Sequence, residues 1–135
     1  MTIKEAEART GLARANIRYY EDQGFFSPAR GENGYRDYSE ENIDTLLKIK
    51  LLRQLGFSLE EIHQLQNGER ALETALAQRE AGLERESREL AQAARLCREM
   101  RSEGADFYTL DARRYLDRLA REEAVLDQDR DPVRI

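Results

Sequence analysis

The chain holds a single cysteine, Cys97, and a single histidine, His63, in 135 residues. No intrachain disulfide can form. Neither a Cys-plus-His zinc site nor a cysteine-ligated iron–sulfur cluster can be assembled within one chain. The expectation is a cytoplasmic protein with no cofactor and no metal. Tryptophan is absent, and prolines number only two. No run of 18 apolar residues occurs, so these residues contain no membrane-spanning helix. The opening MTIKEAEART lacks the apolar core of a signal peptide. Positive charge is not in excess either: 22 Lys and Arg against 27 Asp and Glu leave a net charge of −5. An acidic total argues against indiscriminate polyanion binding, but not against a site-specific nucleic-acid reader.

Charge is unevenly spread. Residues 1–56 carry nine basic and nine acidic side chains, and the whole deficit lies in 57–135. A local basic face in the first half is therefore compatible with the total. The length suits one domain, or one small domain with an appended helix.

Glycines cut the first seventy residues into short pieces. Residues 2–10 read as a helix with Thr2 as N-cap and Gly11 behind it. Residues 13–23 read as a second helix, with Ile17 and Tyr20 facing inward. Pro28 biases Ser27 toward extended backbone, and Asn33-Gly34 predicts a type I′ hairpin turn. The stretch 25–38 is thus a small two-stranded ribbon, which needs support from a helix. Ser39 caps a third helix, with Ile43, Leu46, Leu47, Ile49 or Lys50, and Leu51 at helical spacing up to Leu55. Ser58-Leu59-Glu60-Glu61 is a capping box opening a fourth, which Asn67-Gly68 ends.

From Glu69 to about Glu103 the only punctuating residue is Gly82, and such a helix would be about 50 Å long. Leu76, Leu83, Leu90 and Cys97 recur every seven residues; Leu72, Arg79, Glu86, Ala93 and Met100 take the companion position. The pattern favours a two-stranded coiled coil, the alternative being a helix that folds back on its own domain. Gly104 ends the helix. Phe107, Tyr108 and Leu110 form an apolar knot. Thr109 or Asp111 then starts a last helix with Ala112, Tyr115, Leu116, Leu119 and Leu126 on one stripe, and 127–135 read as a loose polar tail.

Catalysis finds little support. His63 lies among leucines without an evident nucleophile, the paired acids suit helix starts and solvated faces, and no phosphate-cradling glycine motif occurs. A hydrolase would need partners for His63 that are missing. The short helix, glycine turn and second helix, by contrast, make the skeleton of a helix-turn-helix. On the second helix Arg14, Asn16, Arg18 and Tyr19 offer donors to base edges or phosphates. Arg30, Tyr35 and Arg36 flank the ribbon turn, and Lys48, Lys50 and Arg53 add cations near the end of the third helix.

Thr10-Gly11, Arg18-Tyr19-Tyr20-Glu21, Gly24, Asn33-Gly34-Tyr35-Arg36, Tyr38, Ile43, Leu55-Gly56-Phe57-Ser58 and Glu60-Glu61-Ile62 together resemble the MerR family of bacterial transcription regulators. The resemblance covers about residues 1–66, and the following long helix matches the family's dimerisation helix in position and length. It implies a mainly α fold: a winged helix-turn-helix domain over 1–68, a coiled-coil dimerisation helix over 69–103, and a short C-terminal helical segment and tail over 104–135. It further implies a homodimer on double-stranded promoter DNA that works with RNA polymerase, distorts its operator and responds to a small-molecule effector. By matching position, Arg14, Asn16, Arg18, Tyr19 and Tyr20 fall on the recognition helix, Tyr35 and Arg36 on the first wing, and Lys50 and Arg53 near the second.

Leu72, Leu76, Leu83, Leu90 and Cys97 would line the dimer seam. Phe107, Tyr108, Tyr115 and Leu119 would either line a small apolar effector site or pack against the partner. Two departures stand out. Ala13 occupies the place of the family's Ser or Thr cap, a loss of about 1 kcal/mol. Cys97 alone, set on the helix's apolar stripe, is small packing volume and excludes a thiolate cluster for metal sensing in a single chain.

Overall fold

The structure, a computed structural model, describes residues 1–129, with side chains through residue 124. In chain order it runs α1 (Ile3–Thr10), α2 (Arg14–Asp22), β1 (Ala29–Arg30), β2 (Arg36–Asp37), α3 (Glu40–Gln54), α4 (Leu59–Gln66), α5 (Leu72–Ser102) and α6 (Ala112–Asp129). These elements form two compact units, Met1–Arg79 and the part that follows from Glu80. None of the described helices is long and apolar enough to cross a membrane.

In the first unit, the Thr2 hydroxyl accepts the Glu5 N–H to start α1, and Gly11 closes it at φ 71°. That left-handed backbone suits glycine, and a Cβ there would also crowd the Lys50 ammonium. Gly11→Ala should therefore cost about 1–2 kcal/mol. A urea midpoint equal to that of the wild type would show the turn to be more permissive than this.

Ala13 gives α2 no side-chain cap. Glu7 of α1 fills the role instead: Oε2 accepts the Arg14 N–H at 3.1 Å, and Oε1 accepts the Arg14 guanidinium at 2.9 and 3.2 Å. A carboxylate at a helix N-terminus is favourable electrostatically as well, so the deficit at Ala13 is offset from the neighbouring helix.

The ribbon is antiparallel, with Ala29 opposite Asp37 and Arg30 opposite Arg36. Its turn is not type I′. That turn needs positive φ at both central residues, and only glycines among the described residues have positive φ. Instead the Gly34 N–H donates to Gly31 O, the Tyr35 N–H to the Asn33 side chain at 3.1 Å, and Gly34 alone takes φ 81°. Asn33 thus acts through its side-chain oxygen, not through a left-handed backbone.

Capping boxes at Ser39–Asn42 and Ser58–Glu61 open α3 and α4. The apolar side chains of α3 serve two clusters. Ile43 and Leu46 join Ala6, Ile17 and Tyr38; Ile49 joins Phe25, Phe57, Ile62 and Ala75. Tyr20 and Phe26 pack against both. Leu47 and Leu51, grouped with the core by spacing, lie exposed instead, because they sit on a third face of α3. The long helix starts at Leu72, three residues after Glu69, because the N–H groups of Glu69 and Arg70 both donate to Gln64 O. Its first two turns belong to this unit: Ala75 is core, and Arg79 Nε donates to Leu55 O at 2.6 Å.

In the second unit α6 returns along α5. Tyr115 bonds Glu103, Arg118 pairs with Glu99 at 2.6 Å, and Arg95 reaches Glu122 at 3.6 Å. Partner numbers fall along α5 as they rise along α6, so the pair is an antiparallel hairpin with Tyr115 and Gln92 buried. Asp111, one of the two candidate caps, accepts the Arg114 N–H at 3.3 Å. Residues 127–129 continue α6 where a loose tail was expected. The Leu126 side chain and the rest of the tail lie outside the described residues.

Ion pairs link the first unit's helices. Arg9 grips Glu40 at 2.7 and 3.0 Å, and Arg70 reaches Glu61 at 3.1 Å. Hydrogen bonds from Arg14, Arg9 and Ser58 respectively hold the Glu7, Glu40 and Glu61 carboxyls below the ordinary 4.5. A carboxyl depressed by folding contributes stability above its unfolded value and loses it as pH falls through the folded one. Melting temperature should therefore hold from neutrality down to about pH 5 and decline below it. A melting temperature that rises on acidification would contradict these pairings.

Candidate nucleic-acid interface

Ile17 is fully buried and anchors α2, which turns Asn16, Arg18 and Tyr19 outward. Between α2, the first turn of α1 and the ribbon lies a concavity of about 230 Å³, lined by Thr2, Ile3, Arg18, Arg30, Asn33, Tyr35, Arg36 and Tyr38. Three guanidiniums from two elements thus share one hollow. Their states differ. Arg18 is exposed and makes no hydrogen bond or ion pair among the described residues. Arg30 gives one bond, at 3.2 Å, to Gly34 O. Arg36 Nε is bound to Glu21 at 2.7 Å, with both side chains largely covered.

The Glu21–Arg36 pair joins the Arg18-Tyr19-Tyr20-Glu21 motif to the Asn33-Gly34-Tyr35-Arg36 motif, so it sets the ribbon against the recognition helix. Arg30 and Arg36 stand directly opposite across the ribbon. Like charges so placed repel; Glu21 relieves this in the free protein, and an anion in the hollow would relieve it further. Glu21→Gln should therefore loosen the wing, seen as faster amide exchange at Arg36 and Asp37 with α3 unaffected. Unchanged exchange there would remove the pair's positioning role.

The remaining sequence-derived positions divide. Tyr35 is 74% exposed at the ribbon tip and Tyr19 is 48% exposed beside Arg18. Arg14 stays exposed but is shared with Glu7. Tyr20 does not stand with them: half-buried, it packs edge-on against Phe25 and bridges the two clusters. Lys50 is likewise drawn inward, because its ammonium caps α1 by donating to Thr10 O at 2.8 Å. Arg53 remains exposed while donating to Phe57 O at 2.8 Å across the α3–α4 turn. Arg30, seen in sequence only as flanking the turn, is brought into the hollow by its register opposite Arg36.

The four residues read as an effector site are not gathered. Phe107 and Tyr108 are 83% and 92% exposed and, among the described residues, stack only on each other, edge-to-face at 5.5 Å. Tyr115 is buried against α5, its hydroxyl bonded to Glu103 and its ring beneath Arg114 and Arg118. Leu119 is half-buried on α6. The nearby hollow of about 540 Å³ takes only Tyr115 from that set and is lined with Glu103, Asp106, Asp111 and Arg114. It is largely polar because the turn's two aromatic residues, Phe107 and Tyr108, point outward and leave Leu110 and Ala105 among charged side chains.

Leu72, Leu76, Leu83 and Leu90 are exposed along α5, and so is Cys97. Cys97→Ser should leave the free energy of unfolding within about 0.5 kcal/mol of wild type, because the thiol is exposed in the single chain and serine nearly matches its volume. A large loss would place the thiol in essential packing.

A recognition helix after a glycine turn, a ribbon tied to it and a third supporting helix define a winged helix-turn-helix protein. The chain belongs to the MerR family: residues 1–69 match the model of the MerR HTH family regulatory protein. It is 51% identical over 65 residues to the HTH-type transcriptional regulator HmrR of Rhizobium leguminosarum bv. viciae, covering 48% of this chain and 50% of that one. To the regulator CueR of Salmonella typhi it is 41% identical over 68 residues, 50% of this chain and 49% of that one. The chain thus spans about half the length of the curated relatives it matches. Among solved structures, PbrR691 of Ralstonia metallidurans CH34 in complex with lead(II) aligns with TM-score 0.57 at 28% identity, over 76% of this chain and 83% of that one. A MerR-family regulator from Bacillus cereus shares the fold at TM-score 0.63 and 21% identity, over 95% and 98% of the two chains.

Proposed function

We propose that this chain is a sequence-specific DNA-binding transcription regulator, not an enzyme, which acts in the cytoplasm as a homodimer on a promoter. The observation that carries the reading is the hollow itself. Arg18 is unpaired there among the described residues, and Arg30 and Tyr35 stand open beside it on the ribbon. Two elements that present donors on one side can follow a DNA backbone across a groove. In this reading Asn16 and Tyr19 face the major groove, Arg18 stands at its edge within reach of base edges and of the flanking phosphate, Tyr35, Arg30 and Arg36 face backbone phosphates, and Arg14 and Arg53 add outlying charge. Tyr20 and Lys50 act indirectly, by holding α2 and the turn before it.

The exposed Leu76, Leu83 and Leu90 make the homodimer's seam, and two copies read a pseudo-palindrome. Regulation works by distorting the operator so that RNA polymerase engages the promoter differently. Phe107, Tyr108, Tyr115 and Leu119 do not meet within one chain, and the exposure of Phe107 and Tyr108 favours packing against the partner over an effector site within the single chain. Within this chain one thiol and one imidazole cannot make a multi-thiolate metal site.

Titration of the full chain with promoter duplex at two salt concentrations tests the reading. Affinity should fall steeply with salt, because phosphate contacts release counterions. No binding at low salt would instead favour a coiled-coil interaction scaffold whose N-terminal domain binds protein.

A further inference from the structure

Tyr38 is only 1% exposed and belongs to the first core cluster, yet its hydroxyl has no hydrogen-bond partner among the described residues. Buried phenols normally have one, because desolvating an unpaired O–H is unfavourable. The ring cannot readily turn away, since Phe26 packs on it at a centroid distance of 6.3 Å and its own N–H is bonded to Met1 O. Tyr38 also lines the hollow that Arg18, Arg30 and Arg36 share. The phenol is pushed up chiefly by burial, and the remaining influences come from Glu21 and those same three arginines. The buried hydroxyl therefore lies within electrostatic reach of the charges that line the hollow.

We propose that the Tyr38 hydroxyl is a phosphate ligand: it donates to a nonbridging oxygen of a duplex backbone phosphate held by Arg18 and Arg30. The inference rests on the DNA-binding reading above and adds a residue from the protein's core to that interface. In the free protein Arg18, Arg30 and Arg36 share the wall of the hollow with the phenol. When they reach to the phosphate it becomes a partner for the O–H, and the diester's two nonbridging oxygens have lone pairs enough for three donors. A duplex phosphate is the fitting occupant because the hollow is built between the recognition helix and the ribbon. The hydroxyl is neutral, so it adds a directed hydrogen bond without displacing a counterion.

Tyr38→Phe removes only this oxygen. The full-length variant should melt no lower than wild type, since the lost group has no partner in the free protein. With a fluorescent duplex long enough for two half-sites, it should bind about fivefold more weakly on promoter and unrelated sequence alike. The slope of affinity against salt should not change, whereas Arg18→Ala should lower it.

Unchanged duplex affinity for Tyr38→Phe beside a weakened Arg18→Ala would overturn the phosphate ligand and leave DNA binding intact. Unchanged affinity in both would sink the DNA-binding reading itself. A lowered melting temperature that accounts for the weaker binding would make Tyr38 merely structural. Stabilisation of wild type but not of Tyr38→Phe by inorganic phosphate, with duplex affinity equal, would assign the hollow to a free anion and overturn the duplex assignment.

Discussion

Arg18→Ala is expected to weaken binding to the operator by about 1–3 kcal/mol per contact, the worth of a good base contact, and a dimer makes each contact twice. The expectation follows from charge accounting around the hollow. Arg14 is matched by Glu7, Arg36 by Glu21 and Lys50 by the Thr10 carbonyl. Arg18 is the α2 cation that makes no hydrogen bond or ion pair among the described residues, so it would bind DNA without first releasing a protein partner. If it reads a guanine edge, the variant also loses preference at one symmetric pair of base positions. If it holds phosphate, operator and scrambled duplex weaken alike and the salt slope falls by about one per half-site.

Arg36→Ala should behave differently from either case. Its guanidinium orients the wing through Glu21, so its loss should weaken all duplexes and loosen the ribbon together. Measurement of both variants on both duplexes at two salt concentrations separates the outcomes. Normal binding by a folded Arg18→Ala protein would show that α2 is not the recognition helix.

Leu83→Glu should abolish the dimer. Leu83 lies midway along α5, exposed in the single chain, with Leu76 one heptad before it and Leu90 one heptad after. A coiled-coil seam would bury it, and a carboxylate in the same place would be buried without a partner, which is strongly unfavourable. Because the residue makes no part of the first unit's core, that unit should stay folded while sedimentation reports monomers. Loss of the second half-site would then weaken operator binding by far more than any single arginine variant. A stable Leu83→Glu dimer would move the interface off this stripe.

Much of this was legible in the sequence because it is local. Thr2, Ser39 and Ser58 announce helix starts, Gly11 announces an end, and each acts on backbone three or four residues away. The leucine heptad was equally plain. What escaped depends on residues far apart in the chain. Glu7 reaches Arg14, Glu21 reaches Arg36 and Lys50 reaches Thr10, separations of 7, 15 and 40 residues. Each makes sense only once the helices have packed. Lys50 read as a surface cation because a lysine gives no sign that a helix terminus lies within its reach.

The ribbon turn was misread for a related reason. Asn33-Gly34 allows two left-handed residues, but a five-residue connection let the Asn33 side chain take over one bond. Phe107, Tyr108, Tyr115 and Leu119, close in sequence, face different ways within one chain once α6 folds back on α5. Tyr38 is legible as part of the family pattern, whereas the lack of a partner for its hydroxyl among the described residues depends on how the ribbon, α1 and α2 pack around it.

The central claim is that two copies of this chain read one operator. Footprinting of genomic fragments selected by the purified protein tests it most directly. The account predicts one protected pseudo-palindrome within a promoter, half-sites on one face of the duplex, and loss of both halves together with Leu83→Glu. Protection confined to a single half-site, or no enrichment of any fragment over input DNA, would contradict it.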